Sequence, residues 1–154
     1  MTTHTITDAT IKDAAEILAV QYAAYTIEAR LYDDAQLPPL TQTEDEVRAQ
    51  FSDHVILKAV EDEKIVGSVR AFVRDGACFV GRLCVLPEKQ RRGIGTSLMN
   101  AIEARFPDVS RYELFTGSRS LNTIRLYERL GYREFKREPQ MPGVELVFLQ
   151  KRRR

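Results

Sequence analysis

The sequence predicts an α/β chain of the mixed α+β kind, and three observations carry that expectation. Between His54 and Val85, apolar and β-branched residues crowd into three runs separated by short polar turns, the pattern of an antiparallel meander. From Ile94 the period changes: Ile94, Leu98, Ile102 and Phe106 recur every four residues with Met99 beside them, the pattern of an amphipathic helix. Beyond that helix, strand-like and helix-like segments alternate to the end of the chain.

Taken in order, Thr5 to Thr7 reads as a short first strand. Thr10 suits a helix N-cap, and Ala14, Ile17, Leu18, Gln21 and Tyr25 follow at helical spacing. Pro38-Pro39 cannot continue a helix, and Thr43 to Glu46 is a capping box that opens a short second one carrying Val47 and Phe51 on one face. Val55 to Val60, Ile65 to Val73 and Ala77 to Val85 are the meander strands, joined at Asp62-Glu63-Lys64 and at the hairpin signal Asp75-Gly76. Gly81, inside the third, invites a bulge or a close backbone approach. The Ile94–Phe106 helix stops at Pro107-Asp108. Tyr112 to Thr116 is a strand, and Leu121 to Leu130 a helix with Gly131 at its C′ position. Tyr132 to Lys136 and Val144 to Leu149 close the sheet, with Pro139, Pro142 and Gly143 as turn material. The order is β-α-α-β-β-β-α-β-α-β-β: six to seven strands, about four helices, and one domain over residues 1–154 with residues 150–154 as a basic tail.

Composition narrows the function. With 154 residues, 44% of them hydrophobic, one core is affordable, and a formal net charge of +1 gives no global reason to expect nucleic acid or an anionic membrane as partner. The dense run Lys151-Arg152-Arg153-Arg154 reads as a solvated, frayed terminus. Cys78 and Cys84 lie six residues apart in one expected strand. If that strand is unbroken they share a face with Cα atoms about 20 Å apart, beyond disulfide reach. They read as buried thiols of a reducing compartment. The start, Met1-Thr2-Thr3-His4-Thr5, lacks the features of a secretory signal, and no apolar run reaches spanning length. The expectation is a cytoplasmic protein with no metal.

The most informative stretch runs from Gly81 to Thr96: an apolar strand, a Pro-containing turn, a basic cluster and two alternate glycines that open a helix. The first N–H groups of a helix lack internal partners, and the dipole adds positive potential there. Glycine lets those groups approach a phosphate, and Lys89, Arg91 and Arg92 add charge. The same glycines would equally permit a tight strand-to-helix turn with solvated arginines. No G-x-x-x-x-G-K-[ST] is present, and no G-x-G-x-x-G with a following acidic residue, which removes the common nucleotide and dinucleotide loops.

Val85-Leu86-Pro87-Glu88-Lys89-Gln90-Arg91-Arg92-Gly93-Ile94-Gly95 resembles the acetyl-CoA signature of the GCN5-related N-acetyltransferase (GNAT) superfamily, Q/R-x-x-G-x-G/A after a strand, with Gln90, Gly93 and Gly95 at the defined positions. Leu126-Tyr127-Glu128-Arg129-Leu130-Gly131-Tyr132 resembles that family's L-Y-x-x-x-G-F/Y segment. The order of elements is similar end to end.

The resemblance implies a GNAT-type fold whose mostly antiparallel mixed sheet splays at the acetyl-CoA site. It implies transfer of an acetyl group to a primary amine of a small molecule or protein. Main-chain groups of Leu83, Cys84 and Val85 would pair with the pantetheine arm, and Gln90, Arg91, Arg92, Gly93, Ile94, Gly95 and Thr96 would hold the pyrophosphate. Tyr127 matches the tyrosine that protonates the departing thiolate, a role a neutral phenol can fill at physiological pH. Two positions depart from the pattern. Ser120 stands where many relatives carry Asn, with Asn122 two residues on. Arg82 stands in the region where many carry a basic Glu, and arginine cannot accept a proton. Deprotonation would then run through water or another carboxylate, with Glu28, Asp33 and Asp34 as candidates, and Glu28, Asp33, Arg82 and Thr116 are candidate acceptor-side residues. Many relatives dimerise, so a homodimer is a further expectation. Two other readings stand beside the enzyme: an acyl-CoA-binding or sensing module without turnover, and an interaction domain whose basic turn meets an acidic partner.

Overall fold

The alternating runs pair as their turn chemistry directs. In the computed structural model, which describes residues 3–153, β2 (Val55–Glu61), β3 (Lys64–Arg74) and β4 (Ala77–Val85) form successive antiparallel pairs. Asp62-Glu63 and Asp75-Gly76, at the two joints, have positive φ at both residues, the backbone whose twist matches the flanking strands. β1 (Thr5–Asp8) adds to the outer edge of β2. On the other side β5 (Arg111–Gly117) lies parallel to β4, and β7 (Val144–Arg152) and β6 (Arg133–Met141) complete a seven-stranded sheet in the order β1-β2-β3-β4-β5-β7-β6. The mixed, mostly antiparallel sheet and five α-helices make the fold expected of the sequence.

Each face of the sheet carries its own core. α4 (Ile94–Ala104) and α5 (Leu121–Arg129) cover one face, where Ile94, Leu98, Met99 and Ile102 pack on Val69, Ala71 and Val80. α1 (Ala14–Ala29) covers the other, where Ile17 and Val20 meet Ile56, Ile65 and Cys84. α3 (Glu44–Gln50) seals the flank of α1 through Val47, and Thr43 and Glu46 make the reciprocal capping box the sequence predicts.

Several details differ from the sequence reading, each for a local reason. The chain after Thr10 first makes a 3-10 turn, Ile11–Asp13, held by Thr10 N–H donating to Asp13 Oδ2 at 2.8 Å, and only then enters α1. Pro38-Pro39 does not merely end a helix; it begins one, the single turn α2 (Pro38–Thr41), because a proline at the first helical position forfeits only an N–H that would be unpaired anyway. The closing hairpin is longer than expected and turns at Pro142-Gly143 alone. Pro139 sits inside β6, opposite Glu145, which β6 tolerates as the sheet's edge strand. The basic terminus is not frayed as far as Arg153. Lys151 and Arg152 belong to β7, Lys151 Nζ lies 2.8 Å from Glu103 Oε1, and Arg153 N–H donates to the Ser110 carbonyl. Arg154, like Met1 and Thr2, lies outside the described residues.

The cysteines show the largest departure. The register between β3 and β4 slips between Ser68 and Arg70, so β4 is not unbroken. Cys78 therefore packs under α4 and Cys84 under α1, on opposite faces. Both thiols are free and buried, and burial pushes each up to about 12.

Candidate active site

The slip in β4 has a residue at its centre, and it is not the glycine. Gly81 keeps ordinary backbone while Arg82 takes φ 53, a left-handed conformation that costs a non-glycine residue about 1 kcal/mol or more. The kink lies three residues beyond Phe79, where the pairing of β4 with β5 ends. The two pair only through Ala77, Cys78 and Phe79 with Arg111, Tyr112 and Glu113. Beyond them the strands splay, and β5 continues against β7 alone as far as Gly117. The sheet thus opens a gap whose wall is a strand edge with main-chain groups turned away from any neighbouring strand.

That gap is one side of a cavity of about 710 Å³. Its lining brings together, from the expected site, Leu83, Cys84, Val85, Gln90, Arg91, Gly93, Ile94, Gly95, Thr96, Ser120 and Tyr127, and from the acceptor-side candidates Glu28, Arg82 and Thr116. Asn122 lines it as well. Arg92 and Asp33 do not: Arg92 Nη1 lies 4.0 Å from Glu61 Oε1, and Asp33 is an exposed left-handed residue that ends the turn Arg30–Tyr32.

The loop into α4 is shaped by ties within the protein. Gln90 Nε2 donates back to the Val85 carbonyl at 3.1 Å, so this side chain closes the loop on its own strand. Lys89 Nζ lies 2.6 Å from Glu61 Oε1, which holds the Glu61 carboxyl below the usual carboxylate range. Arg91 and Gly93 both take positive φ, and Gly93 is the N-cap of α4. A Cβ at Gly95 would stand 3.4 Å from Leu126 Cδ2 of α5, an ordinary van der Waals contact. The first-turn N–H groups of an eleven-residue helix therefore face the cavity behind two glycines, with Arg91 beside them. These features fit the diphosphate of a coenzyme A thioester.

α5 delivers the tyrosine. Tyr127 is 5% exposed, packed at 5.9 Å from the Tyr132 ring, and lines the cavity. Burial, then the neighbouring Tyr25, Glu28 and Cys84, push its phenol far above the ordinary value of 10.0. It stays protonated throughout the physiological range.

The opposite wall comes from α1 and from residues the sequence reading did not single out as site residues. Tyr25 donates from its hydroxyl to the Leu83 carbonyl at 3.1 Å, fastening α1 to the splayed strand. Tyr32 shares a 2.6 Å hydrogen bond with Ser120 Oγ and accepts from the Arg119 N–H, so Ser120 is engaged by a tyrosine while it lines the cavity. Gly117 exists for this tyrosine: a Cβ there would stand 1.9 Å from the Tyr32 hydroxyl oxygen. Below lie Gln21, Gln42 and Arg70, all buried, and Arg82. The available signals were a glutamine on an otherwise apolar helix face and an arginine in the middle of an apolar strand. Among the described residues no helix is long and apolar enough to cross a membrane, and no group of three or more His, Cys, Asp or Glu is placed to hold a metal ion.

Comparison with known proteins agrees with this geometry. A model of the family described as "Acetyltransferase (GNAT) family" matches residues 17–132. Among solved structures, the ribosomal-protein-S18-alanine N-acetyltransferase of Escherichia coli superposes with a TM-score of 0.80 at 17% identity, covering 97% of this chain and 94% of that one. The paia N-acetyltransferase of Thermoplasma acidophilum, solved with coenzyme A, gives 0.75 at 15% identity, covering 98% and 99%. An acetyltransferase of the GNAT family from Streptococcus pneumoniae gives 0.75 at 20%, covering 97% and 99%. A search of curated proteins returns no match.

Proposed function

The chain belongs to the GNAT family of acetyltransferases, and from that premise we propose that it works as one domain that transfers the acetyl group of acetyl-CoA to a primary amine. The observation that carries the proposal is the gap between β4 and β5, where one cavity joins the N-terminus of α4, a freed strand edge and a buried tyrosine. When bound, acetyl-CoA supplies an activated thioester.

The remaining work falls to this chain. The N–H groups at Gly93 to Thr96, with Arg91, hold the diphosphate. Main-chain groups of Leu83, Cys84 and Val85 orient the arm; the Leu83 and Val85 carbonyls already accept from Tyr25 and Gln90, and each keeps a second lone pair. Glu28 receives the acceptor. Its Oε1 is buried without a hydrogen-bond partner among the described residues, and the carboxylate borders the cavity. There it takes a proton from the incoming ammonium and passes it to solvent. A C–N bond then forms as the C–S bond breaks, Tyr127 protonates the sulfur, and the second amine proton restores Tyr127. Arg82, unable to act as base, lines the same cavity as Glu28, and both act on the Tyr25 phenol. Most of the acceleration comes from positioning and from fixed dipoles in a site shielded from water.

The experiment is calorimetric titration with acetyl-CoA followed by a thiol-release assay across a panel of amines. Saturable binding and thiol release with at least one amine are expected. Binding with no release for any amine would leave an acyl-CoA-binding module in the enzyme's place.

A further inference from the structure

Two arginines, Arg70 and Arg82, meet on one glutamine oxygen beside the acceptor side of the cavity, and the carboxylate that acts on Arg82, Glu46, does so from beyond ion-pair distance. Arg70, in β3, is 2% exposed and donates from Nη2 to Gln21 Oε1 at 3.0 Å and to Gln42 Oε1 at 2.6 Å; its buried Nε has no partner among the described residues. Arg82 donates from Nε to the same Gln42 oxygen at 3.3 Å and lines the cavity. Gln42 Oε1 also accepts from Gln21 Nε2 at 3.0 Å, so one neutral oxygen serves three donors. Among the described residues neither arginine makes an ion pair, whereas Lys58, Lys89, Arg105 and Lys151 each meet a carboxylate within 3.0 Å.

Buried charge normally keeps a counter-charge, because desolvation is otherwise uncompensated. A purely structural polar cluster here would be served by a carboxylate, and glutamines stand in its place. Arg70 feels the cost: burial and the adjacent Arg82 lower it to about 10, which leaves it cationic at neutral pH. A bound anion can reach this pair where Arg82 borders the cavity. In the same cavity Glu28 presents the complement, a buried carboxylate oxygen without a donor among the described residues. The cations of the α4 loop are separate from this pair: Lys89 and Arg92 answer to Glu61.

Resting on the acetyl-transfer reading above, we propose that the acceptor is an amine that also carries a carboxylate, an amino-acid-like zwitterion, with its ammonium at Glu28 and its carboxylate at Arg82. Arg82 is then a specificity residue, and Arg70 positions it by occupying the face of Gln42 that would otherwise turn away. A guanidinium fork matches a carboxylate in a way an ammonium cannot.

The test uses matched triplets of acceptor: an α-amino acid, its carboxamide and the corresponding decarboxylated amine, each with the full chain and acetyl-CoA, reading thiol release. The acid should exceed the other two in kcat/KM by roughly ten- to a hundredfold, the scale of a charge-assisted hydrogen bond. Arg82→Gln should collapse that ratio toward one, and Arg82→Lys should keep part of it. The ratio is internal to each variant, so a loss of folded protein leaves it unmoved. Equal use of acid, amide and decarboxylated amine, or a ratio unchanged in Arg82→Gln, overturns the proposal. If no amine releases thiol, the acetyl-transfer reading fails separately, and calorimetry of the same triplets on the coenzyme A complex still decides. Retention of the acid alone supports the anion site, and its failure to bind overturns it.

Discussion

The two ends of the cavity are built on different principles. At the α4 end, the proposed recognition falls to backbone: N–H groups behind Gly93 and Gly95, and a strand edge left free where β4 parts from β5. At the α1 end it falls to side chains gathered from four distant segments: Gln21 and Glu28 on α1, Gln42 after α2, Arg70 on β3 and Arg82 on β4. A backbone site needs only that a few positions carry no Cβ or permit left-handed φ, so it leaves a short, readable motif. A side-chain site is assembled across the fold, and each part of it looks ordinary in its own segment. The α4 end, proposed to hold the diphosphate, can therefore stay constant while the α1 end, proposed to hold the acceptor, varies.

The sharpest way to break this contrast is Tyr127→Phe, which removes the proposed acid between the two ends. Turnover should fall by roughly 10²- to 10⁴-fold while acetyl-CoA affinity holds. Because the phenol is raised well above 10.0, no loss of kcat through Tyr127 ionisation should appear up to about pH 10. A near-normal rate in the variant would take Tyr127 out of the mechanism. Glu28→Gln tests the acceptor end, with kcat/KM for the amine down by about tenfold or more and acetyl-CoA binding intact. An equal loss of cofactor affinity would deny that the ends are separable.

Gly117→Ala should destabilise the protein by about 1–3 kcal/mol in urea denaturation, because the new methyl meets Tyr32. An unchanged midpoint would mean that Tyr32 moves freely and does not support the site. Gly93→Ala has open space around it but must keep φ 84, costing about 1–2 kcal/mol. Acetyl-CoA affinity should weaken by up to about tenfold, and calorimetry of the variant reads that change directly. The smallest effect concerns Glu61. Its folded-state carboxyl lies below the ordinary value of 4.5, held there by Lys89, so the support it gives the loop is present above that pH and is lost as pH falls through the lowered value. Hydrogen exchange at residues 87–93 should rise there in the native protein and should lose this pH response in Glu61→Gln.

Much of the fold was legible. Fourfold spacing from Ile94 to Phe106, the Asp75-Gly76 hairpin and the Thr43–Glu46 box each became the element they foretold. So did the sheet's mixed character. The α4 end was legible for the same reason: Gly93 and Gly95 are conspicuous because glycine is conspicuous. The errors cluster where a local rule meets a distant partner. Cys78 and Cys84 share a face only if β4 is regular, and its register depends on β3. Pro139 reads as turn material until β7 is seen to leave it on an edge. Lys151 reads as tail until Glu103, on α4, is placed beneath it.

The sequence by itself determined most of the elements, their order and the glycine turn that opens α4, because periodicity, turn residues and helix-end chemistry act over a few neighbouring positions. Only the tertiary structure decided where β4 parts from β5, that Arg82 carries the kink, and that Arg70 and Arg82 share one glutamine oxygen. Those outcomes depend on strand register and on burial between segments tens of residues apart, quantities no local pattern encodes.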